Sequence, residues 1–472
     1  MKYKLFNTLY RHKHIMVFIT IIQKIMDYTS LTRIDLINLC KQNGVKKYSG
    51  RKKSDLILLL KNYVATNNNE VHNEDVLYET STSDMTFIDL FCGIGGFHQA
   101  LTRHGMKCVL ACDVDKRCMK TYKDNYNIEP FNDIRKLEPE KMPDFDILCG
   151  GFSCQPFSNA GKKTTFNHSK GLLFDEITRI AKQKMPKFMF LENVKHILKI
   201  SDGKVFEYIL QQLYNIGYKV QIFELSPHQL GIPQQRIRVI FTCIRSDIYD
   251  ESININLCIP NCEMNFTKIF ETDETIKNKY RIKPEIEQIL NAWDEMISIF
   301  EVGERLSPTI LCHEFYRTYS DDEFTSLPIW KQDYITKNRP IYQKYKTHWD
   351  LWYEKHKILL QRREIYGKLE WQAGHKKEND SIFNYFIQLR QSGIRVKNPK
   401  YFPTLVAMVQ VPIYAKECRY ITPRECARLQ SFPESFKICE NDHQAYKQFG
   451  NAVNVDVVDL VMKTTLHAYG YI

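Results

Sequence analysis

Short apolar runs alternate with longer amphipathic stretches through the middle of the chain. "TFIDLF", from residue 86, predicts a buried strand, "CGIGG" a glycine turn, and "FHQALTRHG" a helix that Gly105 ends. "KCVLACDVD" is strand again and closes on acids; "FDILCGG", "KFMFLENV", "YKVQIFELS" and "RVIFTCI" repeat the apolar run up to about residue 247. This alternation predicts an α/β fold with a doubly wound, mostly parallel sheet, whose ligand sits at the carboxyl ends of the strands. From 248 to about 405 the rhythm stops in a stretch rich in Trp, Tyr, Lys and Glu, where a second, smaller domain is expected. Helical character returns in "TPRECARLQ" and "VNVDVVDLVMKTTLHAY".

Upstream, residues 27–64 read as two short helices. Thr29 or Ser30 caps the first, Leu31, Ile34, Leu36, Ile37 and Leu39 line it, and Gly44 stops it; the second begins at Lys53. A Ser49–Gly50 turn between them is flanked by Lys46, Lys47, Arg51, Lys52 and Lys53. Residues 65–84 are polar and acidic and predict a linker. The first apolar run, "HIMVFITIIQKIM", is too short to span a bilayer and lacks a small-residue cleavage site. It is a helix, or upstream sequence if translation begins at Met26.

A chain of 472 residues suits two or three domains, and 43% hydrophobic residues give it a substantial core. The net charge of +11 fits a polyanionic partner as well as it fits a merely basic enzyme. Fourteen cysteines without repeated short spacing favour a reduced compartment, and no spacing suggests a metal.

The chemistry concentrates at strand ends. Gly93, Gly95 and Gly96 lie between a strand and a helix, where missing side chains let a ligand approach the backbone. About twenty residues on, Asp113 and Asp115 end the next strand, where an acid can accept hydrogen bonds from a ribose. In "GGFSCQPFSNAGKK", Cys154 follows a strand end and precedes Lys162 and Lys163, so its thiol can become a thiolate. Glu192, at the end of "FLENV", reaches the same sheet edge, and a nucleophilic cysteine beside a carboxylate that can exchange a proton is a pair suited to attack on an electron-poor ring.

Seven ordered blocks, "DLFCGIGGF", "NDI", "GGFSCQPFS", "LENV", "PQQRIRVI", "RYITPRECARLQSFP" and "QFGNAV", resemble the cytosine-5 DNA methyltransferase family over residues 86–245 and 419–460. The resemblance implies S-adenosylmethionine as cofactor, double-stranded DNA as partner, and Cys154 as the nucleophile that adds to carbon 6 of a flipped-out cytosine. Glu192 would protonate the ring nitrogen, and Arg236 and Arg238 would position base and backbone. It further assigns Phe91, Ile94 and Gly96 to the adenosine and methionine parts, Asp113 to the ribose, and Asp133 with Ile134 to the adenine. Gly151, Leu173, Asn451 and Ala452 complete that pocket, and Gly161 and Gly171 flank a lysine-bearing loop suited to closing over DNA. Ser153 stands where the family usually has proline, and Asp113 where it usually has glutamate.

By the same resemblance, residues 85–247 form the catalytic domain, 248–405 a target recognition domain, and 406–472 a segment that completes the catalytic domain. Basic stretches "RQSGIRVKNPKY" and "YQKYKTHWDLWYEKHK" supply the expected DNA contacts. Residues 27–64 resemble the SAP motif, a small helical DNA-binding module. Two other readings share these residues: a tRNA cytosine-5 methyltransferase, and an inactive DNA-binding homologue motivated by Ser153. An intracellular monomer is expected, in a bacterium or in a virus-infected host, with a companion restriction endonuclease as a further possible partner and no membrane association.

Overall fold

The computed structural model describes residues 84–152, 173–260, 262–306, 309–408 and 410–472, with Thr32, Leu36, Ile37, Cys40, Lys41, Lys52, Lys53, Ser54 and Leu56. Packing divides the chain into Met1–Thr80 and Ser81–Ile472. In the first unit Leu36 and Cys40, one helical turn apart, are buried, as is Leu56. The basic turn and nearly all of the linker, expected from the sequence, lie outside the described residues.

In the second unit the apolar runs become a six-stranded sheet. Its strands are β1 (Thr86–Leu90), β2 (Lys107–Cys112), β3 (Ile147–Gly151), β4 (Phe188–Val194), β5 (Tyr218–Leu225) and β6 (Arg238–Arg245), in the order β2-β1-β3-β4-β6-β5. β2, β1, β3 and β4 pair in parallel, whereas β6 is antiparallel to both of its neighbours. The connection explains the reversal: between β5 and β6 the chain makes only the short 3-10 turn Pro227–Leu230, where a parallel return needs a crossover helix. Helices α1 (Gly96–Thr102), α2 (Lys116–Tyr126), α3 (Leu173–Lys184) and α4 (Lys204–Asn215) make the other connections.

Both faces of this sheet are covered, which is why its strands read as nearly continuous apolar runs. Along β1, Phe87 enters one hydrophobic cluster while Ile88 and Leu90 enter the other, the period-two alternation of a strand.

A second core, between Ile282 and Ala415, is built on Trp293, Trp349 and Trp352. Its helices are α5 (Pro284–Ile299), α6 (Ile329–Lys344) and α7 (Lys346–Gln361). Its sheet runs β12-β11-β9-β10-β8-β7, from β7 (Ile310–Leu311), β8 (Lys368–Gln372), β9 (Phe386–Arg390), β10 (Gly393–Lys397), β11 (Ile413–Tyr414) and β12 (Arg419–Tyr420). This core starts only at Ile282, because Ile255 and Ile269 pack into the first core; Phe402 and Leu405 also join the first core, while Ile413 and Ala415 beyond them return to the second. Where the chain enters and leaves the second core, its two arms pair: Ile282 N donates to Cys418 O at 2.9 Å and Tyr420 N to Tyr280 O at 2.9 Å.

The carboxyl-terminal helices α8 (Pro423–Leu429), α9 (Asp442–Asn451) and α10 (Val455–Ala468) then return to the first sheet. Val455, Val458, Val461 and Met462 share a cluster with Phe97 and Leu101 of α1. Arg103 pairs with Asp456 at 2.7 Å beside that contact.

Candidate active site at the carboxyl ends of β1, β3 and β4

The chain leaves β1 for β2 on one side and later returns to β3 on the other, so a crevice opens where the strand order reverses. The turn above β1 is tightly wound, with positive φ at Phe91 (53°), Gly93 (53°) and Gly95 (84°). A side chain on Gly95 would lie 2.4 Å from the Tyr126 ring, and one on Gly96 2.4 Å from Val453 Cγ2. At Gly93 it would meet only Phe91 O, at 4.0 Å. Two glycines therefore permit close packing, and one leaves the backbone open to a ligand.

Asp113, just past β2, binds this turn: its Oδ2 accepts from Gly93 N at 2.8 Å and its Oδ1 from Asp115 N at 2.8 Å. Burial pushes its carboxyl above the ordinary range. Asp113 N donates to Phe131 O at 3.0 Å, which brings the following Asp133 and Ile134 alongside the end of β2. Asp133 caps a 3-10 turn and pairs with Arg135, while Ile134 is buried. Phe91, Ile134 and Leu173 all pack on one hydrophobic cluster. Ile94 belongs to the other cluster, as does Ala452, which follows the exposed Asn451 at the end of α9.

Parallel pairing places Gly151 of β3 opposite Glu192 of β4. Glu192 Oε1 accepts from Arg238 Nε at 2.8 Å. Burial raises the Glu192 carboxyl above its ordinary value despite the opposing pull of Arg238 and Arg236. Beside it, Asn193 Nδ2 donates to the buried carbonyl of Phe152 at 2.9 Å and so anchors the chain at the point where it leaves β3. Ser153 and Cys154, with the lysine-bearing loop that follows, lie outside the described residues.

Arg236, assigned with Arg238 to positioning the base and backbone, lies just outside the strand that carries Arg238. It precedes β6 and is buried, with Nη1 donating to Leu405 O at 2.6 Å and Nη2 to Gly450 O at 2.9 Å and Ala452 O at 3.1 Å. Three inward carbonyls make it a brace between the site and the carboxyl-terminal segment. Gln430 adds to that brace, its Nε2 donating to Phe449 O at 2.8 Å and Ala452 O at 3.1 Å. The sequence reading missed Asn193, Gln430 and Val453 as positioning residues, although each lies inside a recognised block, and it missed Tyr126 beneath the turn.

The model of the family "C-5 cytosine-specific DNA methylase" matches residues 85–467. The chain belongs to this family. It is 30% identical over 377 residues to the Type II methyltransferase M.HhaI of Haemophilus parahaemolyticus, covering 80% of this chain and 93% of that one. It is also 30% identical to M.BanI of Aneurinibacillus aneurinilyticus, over 80% of this chain and 94% of the relative. With M1.ScrFI of Lactococcus lactis subsp. cremoris it shares 31% identity, over 82% and 79%. Among the described residues of the methylase, no helix is long and apolar enough to cross a membrane, and no group of His, Cys, Asp or Glu side chains could hold a metal ion.

Asp89, at the base of the glycine turn, gives the methylase a pH signature. It is buried, Tyr122 OH donates to its Oδ2 at 3.5 Å, and its Oδ1 has no partner. Burial, and then Asp113, raise its carboxyl well above the ordinary value. The folded protein therefore holds this proton more tightly than the unfolded chain. The stabilisation is full below the unfolded value of about 4 and is lost as pH rises through the folded value. Asp89→Asn should remove this loss, so the difference in melting temperature between variant and wild type should move in the variant's favour from pH 5 to pH 8. A constant difference would mean that Asp89 does not titrate in this way.

Proposed function

We propose that this methylase reads a short duplex sequence with the segment carrying β7–β12, turns the target cytosine out of the helix, and uses Cys154 as nucleophile at carbon 6. The observation that carries this reading is the convergence of Glu192 with the chain leading to Cys154: Gly151 and Glu192 are in register, and Asn193 holds Phe152 O. Carbon 5 of cytosine is a poor nucleophile. Attack by the Cys154 thiolate forms a sulfur–carbon 6 bond, a proton passes from Glu192 to ring nitrogen 3, and the displaced electron pair makes carbon 5 nucleophilic. A carboxyl raised by burial is protonated over more of the pH range, and Arg238 orients it. Once carbon 5 has taken up the methyl group, a base removes the carbon 5 proton, the sulfur–carbon bond breaks as the ring double bond re-forms, and the nitrogen proton returns to Glu192.

The open backbone at Gly93 and the acceptor oxygens of Asp113 fit S-adenosylmethionine, which when bound supplies the electrophilic methyl group. Phe91, Ile94, Gly96, Asp133, Ile134, Gly151, Leu173, Asn451 and Ala452 would complete its site. Taking the base out of the stack costs a few kcal/mol, roughly, which contacts to DNA must offset. Arg390, Arg395 and Lys397 on β9 and β10 are suited to phosphates: Arg395 pairs with Glu370 at 2.7 Å, while burial and the neighbouring Arg395 push Arg390 and Lys397 below their ordinary values.

Duplex DNA carrying 5-fluorocytosine, whose fluorine cannot leave as a proton does, should form an adduct with the chain and S-adenosylmethionine that survives a denaturing gel. Bisulfite sequencing of DNA from expressing cells should place methylcytosine in one recurring context. Absence of both results overturns the proposal, and methyl transfer to tRNA alone moves the assignment to a tRNA methyltransferase.

A further inference from the structure

The glycine turn is held from below by a stack of aromatic side chains that the catalytic chemistry does not use. Tyr126, at the end of α2, places its hydroxyl 2.9 Å from Ile94 O and 3.3 Å from Gly95 O, donating toward these carbonyls. Gln99 Nε2 donates to the same hydroxyl oxygen at 3.1 Å and so directs its hydrogen to the carbonyls. The ring is fixed as well: His98 stacks on it at 3.8 Å between centroids, and Tyr122 meets it edge-on at 4.6 Å. His98 Nδ1 is hydrogen-bonded to Tyr122 OH at 2.7 Å, which closes the stack.

A trans peptide carries its C=O and N–H on opposite edges of one plane. A hydroxyl that fixes the Gly95 carbonyl therefore also fixes the direction of the Gly96 N–H group, and it reinforces that of the Gly95 N–H, which donates to Cys92 O at 2.8 Å. Ile94 and Gly96 are the residues assigned to the cofactor above. The close approach is specific to this ring, because a Cβ on Gly95 would lie 2.6 Å from the Tyr126 hydroxyl oxygen.

We propose that Tyr126 is a positioning residue for S-adenosylmethionine, setting the peptide planes of the turn that receives it. The inference rests on the cofactor reading above. Tyr126→Phe keeps the stacked ring and removes only the hydroxyl. In the full-length chain, its dissociation constant for S-adenosylhomocysteine, measured by calorimetry, should rise about five- to tenfold, the loss of roughly one hydrogen bond. KM for S-adenosylmethionine should rise in step, while kcat at saturating cofactor falls less than twofold. Gln99→Leu, which leaves the tyrosine in place, should shift the same constants in the same direction by a smaller factor.

Unchanged cofactor affinity in Tyr126→Phe overturns the inference. So does a fall in kcat and melting temperature without a change in KM, the mark of a purely structural residue. If the unmodified chain itself fails to bind S-adenosylhomocysteine, the cofactor reading falls first and takes this inference with it.

Discussion

Replacing Glu192 by glutamine is expected to lower kcat for methyl transfer by about 10²- to 10⁴-fold, the range for removing a positioned proton donor. Glutamine keeps the shape and can still face Arg238, but it cannot deliver a proton to the ring nitrogen as the sulfur–carbon bond forms. The ion pair to Arg238 at 2.8 Å is lost, and the arginine left behind costs about 1–3 kcal/mol of stability, which a protein of this size should tolerate. The variant should therefore fold and bind cofactor and DNA while turning over slowly. Tritiated methyl incorporation under single-turnover conditions separates these steps. A loss of less than tenfold would remove Glu192 from the proton-transfer role.

Arg236→Met should act on the fold instead. Methionine approximates the volume but leaves the carbonyls of Leu405, Gly450 and Ala452 without their donor inside the protein. Each buried acceptor left unsatisfied costs about 1–3 kcal/mol, together a large part of the 5–15 kcal/mol, roughly, that holds a domain folded. The urea midpoint should fall by about 1 M, and Arg236→Lys should recover little, since one ammonium cannot span the three acceptors. If the midpoint stays in place while DNA binding collapses, the guanidinium serves the substrate and not the fold.

These two arginines show where the sequence stops being legible. Both stand in "PQQRIRVI" two residues apart, and neither charge nor spacing distinguishes them. Arg238, the first residue of β6, points to Glu192, whereas Arg236 lies one turn of chain earlier among carbonyls from residues 405, 450 and 452. Such distant partners leave no local trace.

The strands of the first sheet could be read because burial on both faces writes an unbroken apolar run. The direction of β6 could not, because it depends on the length and shape of the link before it. The strands of the second sheet are five residues or fewer and mix polar with apolar positions, so their run of Lys, Arg and Tyr reads as surface. Asp113, Glu192 and the glycine turn were legible because their places at strand ends follow from the strands themselves. The position of Cys154 rests on sequence chemistry alone, as residues 153–172 are outside the described part of the structure.

The paired arms at Tyr280–Ile282 and Cys418–Tyr420 make the second core a cassette. Its two ends are already fastened to each other, so apart from Phe386, Phe402 and Leu405, which pack into the first core, the first sheet meets it as a closed loop. Doubling the length of such a loop costs only about 0.6 kcal/mol in closure entropy. Parts of the cassette away from Phe386, Phe402 and Leu405 can therefore be exchanged or lengthened while Glu192, the glycine turn and the Arg236 brace stay unaltered, so this segment can change by replacement at one neck and not by gradual revision of the protein around it.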